Sequence, residues 1–158
     1  MNKKINKYKN RYEALKMPVV NFHLVEGYCS AEQKTRLLQD ASRLYSKVLQ
    51  SPMERVRAII TLHTADEFAV AGDCVSSHRL HAPYFEFIVL EGRPLDERQK
   101  LMTGFTSLLV EILAVDRNVV RGRCIRVEPQ DWSIGGIGAD VLREQEICAR
   151  AAKLEVRG

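Results

Sequence analysis

The sequence predicts an α/β (α+β) fold: two tandem β-α-β units whose four strands form one sheet, with two helices on one face. Three observations predict it. The chain repeats itself once, with a period of about 65 residues. Each copy opens on an alternation of apolar and polar residues, the period of a half-buried strand. Each alternation leads into a segment of helical period and then into a closing strand run, β-branched in the first copy. Two copies are too few, and each too long, for a solenoid, so the pattern reads as duplication of one small unit.

The repeat can be followed along the chain. PVVNFHLVEGYCSAEQK, from Pro18, matches PYFEFIVLEGRPLDERQK, from Pro83, with one residue of slippage. VRAIIT, from Val56, echoes VRGRCI, from Val120, and FAVAG, from Phe68, echoes WSIGG, from Trp132. In the first copy Val20, Phe22 and Leu24 alternate with Val19, Asn21 and His23, which predicts a strand. Ser30 with Gln33 three residues on forms a capping box. The helix it starts, from about Ala31 to Leu49, presents Leu37, Leu38, Ala41, Leu44, Tyr45 and Val48 on one face. Pro52 breaks it, and RVRAIITL follows as the closing strand.

In the second copy Tyr84 to Leu90 reads as a strand. A helix from about Leu95 to Leu113 presents Leu101, Met102, Phe105, Leu108, Leu109 and Ile112, and NVVRGRCIRV closes the unit. Crossovers of this length join parallel strands. The sheet face away from the helices needs cover, which predicts an oligomer. ADVLREQEICARAAKLE reads as a C-terminal amphipathic helix. The expected organisation is a basic tail over 1–17, a first unit over 18–76, a linker over 77–82, a second unit over 83–138 and a terminal helix over 139–158.

With 46% hydrophobic and 28% charged residues, the 158-residue chain can bury a core. No apolar run reaches the ~20 residues that span a bilayer, and no secretory leader pattern is present. The cysteines, Cys29, Cys74, Cys124 and Cys148, lack CxxC spacing and read as reduced thiols. These features predict a cytoplasmic protein with no membrane partner. The formal charge of +4 is concentrated at the start, where residues 1–16 hold six Lys and Arg against Glu13 alone. The remainder carries 18 basic against 19 acidic residues, so no nucleic-acid partner is predicted. The Asn- and Lys-rich tail reads as disordered or as a segment ahead of a true start at Met17. The composition changes there, and a small residue after Met permits removal of the initiator.

Read in order, Pro18 after Met17, FHLVEG, AEQK, SPMERVR and FAVAG resemble the tautomerase superfamily, whose founding enzyme is 4-oxalocrotonate tautomerase. The resemblance covers roughly residues 17–136. The duplicated layout is similar to the fused members, which include cis-3-chloroacrylic acid dehalogenase and malonate semialdehyde decarboxylase. This resemblance implies a tautomerase/MIF-like fold, a homotrimer, a small carboxylate substrate, no cofactor and no metal. It also implies that Pro18, as an amino-terminal proline, is the catalytic residue. A terminal secondary amine titrates near ~8, and apolar surroundings with nearby arginines push that value down, so the amine becomes a general base near neutrality. An internal proline nitrogen is an amide without a basic lone pair. Pro18 can act only at the start of the mature chain, and Pro83 is internal in any case.

The same resemblance assigns substrate-binding candidates. Arg57 stands where the founding enzyme has an essential arginine, and Arg93 follows the Glu-Gly pair as the family's other arginine does. Tyr28 occupies the latter position in the first copy, a departure from the pattern. Arg121 matches Arg57 by repeat, and Arg123 shares its side of the strand. A guanidinium fork suits a carboxylate. Phe68 matches the aromatic that walls the family's site, and Trp132 is its second-copy partner. The glycines of GGIG, residues 135–138, suit a hairpin turn and not a phosphate loop. His23 reads as structural, and His78 and His81 lack neighbours at ligand spacing.

The reading that leads is a tautomerase acting on 2-hydroxy-dienoate or enol-pyruvate acids. Hydration, dehalogenation or decarboxylation of three-carbon acids is the alternative on the same fold. It needs an extra carboxylate, for which Glu128 and Asp131 are on offer, though neither stands clearly where the dehalogenase has its own. A non-catalytic trimer is the outcome if Pro18 is not N-terminal.

Overall fold

The computed structural model describes residues 18–156; the basic segment before them lies outside the described residues. Strand β1 (Val19–Val25) leads through a Gly27 turn into helix α1 (Ala31–Leu49). The capping box forms as expected: the Gln33 N–H donates to Ser30 Oγ at 3.1 Å, and the Ser30 N–H donates to Gln33 Oε1 at 2.8 Å. The helix ends with Gln50 in the left-handed region, two residues before Pro52. A single 3₁₀ turn (Met53–Arg55) precedes β2 (Arg57–His63), and another (Ala65–Glu67) precedes a small hairpin, β3 (Ala69–Val70) and β4 (Asp73–Cys74). A one-turn helix, α2 (Val75–His78), closes the first half.

The second half repeats this order: β5 (Tyr84–Leu90), α3 (Leu95–Leu113), a 3₁₀ turn (Arg117–Val119) and β6 (Arg121–Val127). A further 3₁₀ turn (Pro129–Asp131), β7 (Ser133–Ile134), β8 (Ile137–Gly138) and α4 (Ala139–Glu155) follow. The turn between β7 and β8 is Gly135–Gly136, both at positive φ (61° and 87°). That geometry suits a two-residue hairpin loop and favours glycine.

The sheet order is β2-β1-β5-β6. β1 pairs parallel with β2 and β5 parallel with β6, while β1 and β5 run antiparallel at the centre. The two units are thus related by an approximate two-fold, visible in the backbone hydrogen bonds. The Arg57 N–H donates to the Pro18 carbonyl at 2.9 Å, and the Arg121 N–H to the Pro83 carbonyl at 3.1 Å. Likewise the Val75 N–H donates to the Phe68 carbonyl at 2.9 Å, and the Ala139 N–H to the Trp132 carbonyl at 2.8 Å.

Alternation along β1 and β5 sends Val20, Phe22, Leu24, Phe85, Phe87 and Val89 into the core, where they meet Leu37, Ala41, Tyr45 and Leu49 of α1 and Leu101, Phe105, Leu109 and Ile112 of α3. Each fully buried side chain of this size contributes about 1.5–3 kcal/mol. Phe105 packs edge-on against Phe22 and Tyr45, with ring centroids 5.8 and 5.3 Å away. Among the described residues no helix covers the other face of the sheet. It carries Asn21, His23, Tyr84, Glu86 and Ile88, all half-buried. Among the described residues no helix is long and apolar enough to cross a membrane.

Candidate active site

The antiparallel pairing at the centre of the sheet sets the site. Val19 stands opposite Ile88, so Pro18, one residue earlier, faces the end of β5. There the chain turns at Gly92, with φ at 101°. The turn lays Arg93 and Pro94 against the start of α3. Pro18, itself buried, and these residues line a pocket of about 470 Å³. Leu49, Ile88, Val89, Leu90, Pro129 and Ala139 supply its largely apolar walls, and Glu91, Glu97 and Arg143 its remaining polar lining.

The electrostatics favour an anion. The 19-residue helix α3 begins at the pocket, immediately after Pro94, and α4 begins there at Ala139. Helix N-termini present unpaired N–H groups and a positive dipole end. The Arg93 side chain is only 19% exposed, and its guanidinium pairs with Glu97 at 3.1 Å. Glu91 pairs with Arg126 at 3.2 Å on the rim. Behind the wall the buried Tyr45 hydroxyl reaches the carbonyls of Val19, at 3.3 Å, and Ile88. It bridges the two strands beside Pro18, and burial pushes its phenol well above the usual range.

Of the residues read from the sequence, Pro18 and Arg93 come together in this pocket. Trp132 is not among the pocket's lining residues; its carbonyl accepts the Ala139 N–H at the start of α4. Its indole N–H is buried and has no hydrogen-bond partner among the described residues. Arg57 is a backbone neighbour of Pro18, but its guanidinium donates to the carbonyls of Glu54 (2.9 Å) and Val56 (3.2 Å) and is exposed.

The remaining candidates belong to the Pro83 end of the sheet in the same chain, a strand's length of roughly 20 Å away. Arg121 adjoins Pro83 and turns its guanidinium to the Asn118 and Val120 carbonyls. Arg123, also on β6, lies 3.7 Å from Glu86. Phe68 packs edge-on against His63. Tyr28 stands where Arg93 stands by repeat, and there its ring meets His81 with centroids 5.3 Å apart. His81 is buried, only 8% exposed, and its Nε2 accepts the Val25 N–H at 3.2 Å. Burial lowers its pKa. The two ends of the sheet are therefore related in backbone and different in side chains: one presents a pocket with an arginine, the other holds a buried histidine.

Glu97 and Arg143 were missed in the sequence. Glu97 could have been found as the residue one helical turn beyond Arg93. Arg143 could have been found by extending the repeat, since it follows Trp132 by the same interval that separates Arg79 from Phe68. Glu128 and Asp131, the carboxylates the sequence offered for water activation, are not among the pocket's lining residues; Glu91 and Glu97 are. Among the described residues no group of three or more His, Cys, Asp or Glu side chains gathers as a metal site would require.

The fold and pocket define a class: a duplicated β-α-β protein with an anion-favouring pocket at the first proline of its central strand pair. Comparison with known proteins gives the family. The family model for tautomerase enzymes matches residues 18–78. A 2-hydroxymuconate tautomerase of Pseudomonas putida is 38% identical over 60 residues, covering 38% of this chain and 94% of the relative. One of Pseudomonas sp. (strain CF600) is 33% identical over 63 residues, covering 40% and 98%. Among solved structures, a native fused 4-OT superposes with a TM-score of 0.74 at 19% identity, covering 78% of this chain and 98% of the other. A member of the cis-3-chloroacrylic acid dehalogenase family superposes at 0.66 with 14% identity, covering 76% and 82%. The chain belongs to the tautomerase family, as a member in which two β-α-β units are fused.

Proposed function

We propose that this chain is a cofactor-independent tautomerase of small 2-hydroxy-dienoate or enol-pyruvate acids, with Pro18 as its general base. The observation that carries the reading is the shared pocket of Pro18 and Arg93, with largely apolar walls. The free amine takes the enol hydroxyl proton while the oxygen's electron pair forms the carbonyl. The displaced pair of the carbon–carbon double bond then accepts that proton at carbon, so the step is balanced and needs no redox partner. Arg93 holds the substrate carboxylate and stabilises the enolate. Apolar walls and a guanidinium both disfavour the ammonium form of the base.

A Pro18 nitrogen acylated by Met17 has no lone pair to offer, so the reading requires a mature chain that begins at Pro18. Intact-mass measurement of protein made from its native gene, beside loss of the enol absorbance of 2-hydroxymuconate, tests this. The expected result is a mass lacking residues 1–17 and a measurable ketonisation rate. Pro18→Ala is then expected to lower kcat/KM by about 10²–10⁴, and Arg93→Ala by about 10²–10³. A mass that retains Met17, with no turnover, overturns the reading in favour of a non-catalytic member of the fold.

A second reading is favoured by Glu97, a carboxylate in the pocket beside Arg93. Such a group can activate water for hydration, dehalogenation or decarboxylation of a three-carbon acid. Halide release from 3-chloroacrylate, assayed on the same preparation, separates it from tautomerisation.

The uncovered sheet face supports assembly as a homotrimer, and a fused 4-OT of similar fold is described as an asymmetric trimer. In such an assembly Arg121, Arg123, Phe68 and Tyr28 could reach a Pro18 pocket across a subunit boundary, and Arg57 could line one from the exposed sheet edge.

A further inference from the structure

We infer that Glu97 is a positioning residue for Arg93 and an internal competitor for the substrate carboxylate, so that it sets how tightly the Pro18 pocket holds an acid. The inference rests on the pocket being an acid-binding site, as proposed above. Glu97 and Arg93 line the pocket together, and their side chains, 24% and 19% exposed, meet at 3.1 Å. Asp96, the neighbouring acid on the same turn, is exposed and pairs with Lys100 at 3.8 Å. The backbone of Arg93 is fixed on both sides. Its N–H donates to the Leu90 carbonyl at 3.4 Å, and Arg98 Nε donates to the Arg93 carbonyl at 3.4 Å. Glu97 then fixes the guanidinium. A carboxylate already on that fork has the charge and shape of the group a substrate acid presents. An incoming acid must displace it, since two carboxylates on one guanidinium repel each other.

The repeat supplies a second, independent observation. Glu97 is the third residue of α3, the position Gln33 holds in α1. Gln33 serves the capping box there: its Oε1 accepts the Ser30 N–H at 2.8 Å, and its Nε2 donates to the Ile112 carbonyl at 3.0 Å. In the second unit the N-cap is Pro94, which has no N–H to donate. The side chain at the third position is thereby released from capping, and Glu97 turns to Arg93. Two changes go together: where the first unit has Tyr28 and Gln33, the second has Arg93 and Glu97. The carboxylate offsets the cost of burying an arginine among apolar walls in the free protein. It yields the guanidinium when an acid arrives.

The test reads Arg93 both with and without turnover. Wild type, Glu97→Gln and Glu97→Ala are compared in three measurements. These are KM and kcat for 2-hydroxy-2,4-pentadienoate, which carries one carboxylate; binding of benzoate, an acid that cannot tautomerise, by calorimetry; and the rate at which phenylglyoxal modifies Arg93, followed by mass spectrometry of its peptide. Glu97→Gln keeps the side-chain shape and removes the charge. It is expected to lower KM and the benzoate Kd by about three- to tenfold, with kcat changed much less, and to speed modification of Arg93. Glu97→Ala frees the guanidinium and also leaves it unheld, so modification is again faster while kcat falls several-fold below that of Glu97→Gln. A Glu97→Gln variant that loses kcat with KM unchanged makes Glu97 a catalytic group, and one unchanged in all three measurements makes the pair a structural contact; either overturns the assignment. Wild type that turns over no acid, with Glu97→Gln binding benzoate more tightly and reacting faster at Arg93, supports the inference while defeating the tautomerase reading. Turnover by wild type with no change in Glu97→Gln does the reverse.

Discussion

Tyr45 shows how much a single side chain organises near the pocket. It belongs to the core by its ring, packed edge-on against Phe87 and Phe105, and to the site by its hydroxyl, which meets the carbonyls of Val19 and Ile88. The Ile88 carbonyl belongs to a pocket-lining residue, and the Val19 carbonyl to the neighbour of Pro18. Tyr45→Phe keeps the packing and leaves those carbonyls without their hydroxyl donor. A buried group left unpaired costs about 1–3 kcal/mol, so the urea midpoint is expected to fall with an unchanged m-value. Looser anchoring of Val19 and Ile88 beside Pro18 should also lower kcat/KM. At this scale the sequence was informative for Arg93, because its place after a Glu-Gly turn is written in the repeat. It was silent on the Tyr45 hydroxyl, because a tyrosine on an apolar helix face looks like any core aromatic until the fold brings two carbonyls to its oxygen. Arg143 escaped for another reason: the alternation that marked strands ends before it, and one exposed arginine on an amphipathic helix carries no periodic signal.

The elements were legible because each rests on a local signal that tertiary packing then uses. The Ser30–Gln33 box starts α1 where expected, and the buried positions of α1 and α3 fall on the faces their periodicity defines. The 3₁₀ turns and α2 were not foreseen, since a three- or four-residue turn has no room for a hydrophobic period. The pairing of the two halves is finer than the sequence shows. In the first unit Val20 faces Ala58 across the β1–β2 pair; in the second, Phe85 faces Gly122 across β5–β6. A larger ring on the central strand goes with a smaller residue on the outer one. A methyl group at Gly122 would fall within the Phe85 ring. That ring is already confined by Phe22, Phe87 and Phe105. Gly122→Ala is therefore expected to destabilise by about 1–3 kcal/mol, as overpacking does, with the loss read as a lower urea midpoint. Gly122→Ala combined with Phe85→Val, which recreates the first-unit pairing, should behave better than the sum of the two single changes.

At the scale of the whole molecule the bare sheet face carries polar links between β1 and β2 and between β5 and β6, and the histidines make stability depend on pH. Thr61 on β2 donates to Asn21 on β1 at 2.9 Å, and Arg123 on β6 lies 3.7 Å from Glu86 on β5, which accepts the Tyr84 hydroxyl at 3.1 Å. On β1 and β2, His23 Nδ1 and His63 Nε2 are 2.8 Å apart, a spacing that fits one proton between them and not two cations in contact. The His23 pKa is lowered, first by burial and then by His63, against an opposing pull from Glu86. His81 is lowered by burial, and its Nε2 must stay unprotonated to accept the Val25 N–H. Both shifts have the same sign. The unfolded chain binds these protons near the ordinary imidazole value of 6.5, whereas the folded chain resists them until the pH is lower. The histidine contribution to stability is thus complete above that value. It is lost as pH falls below 6.5 toward the lowered folded-state values, and levels off beneath them. Urea midpoints measured from about pH 8 to about pH 5 are expected to decline on the acid side for wild type. They should decline less for His23→Asn combined with His81→Gln, since neither replacement titrates and a glutamine oxygen can still accept from Val25. Curves of equal slope for the two proteins would mean that carboxylates elsewhere set the acid sensitivity, and that the histidines on the bare face and beneath Tyr28 enter the folded state with their protonation unchanged.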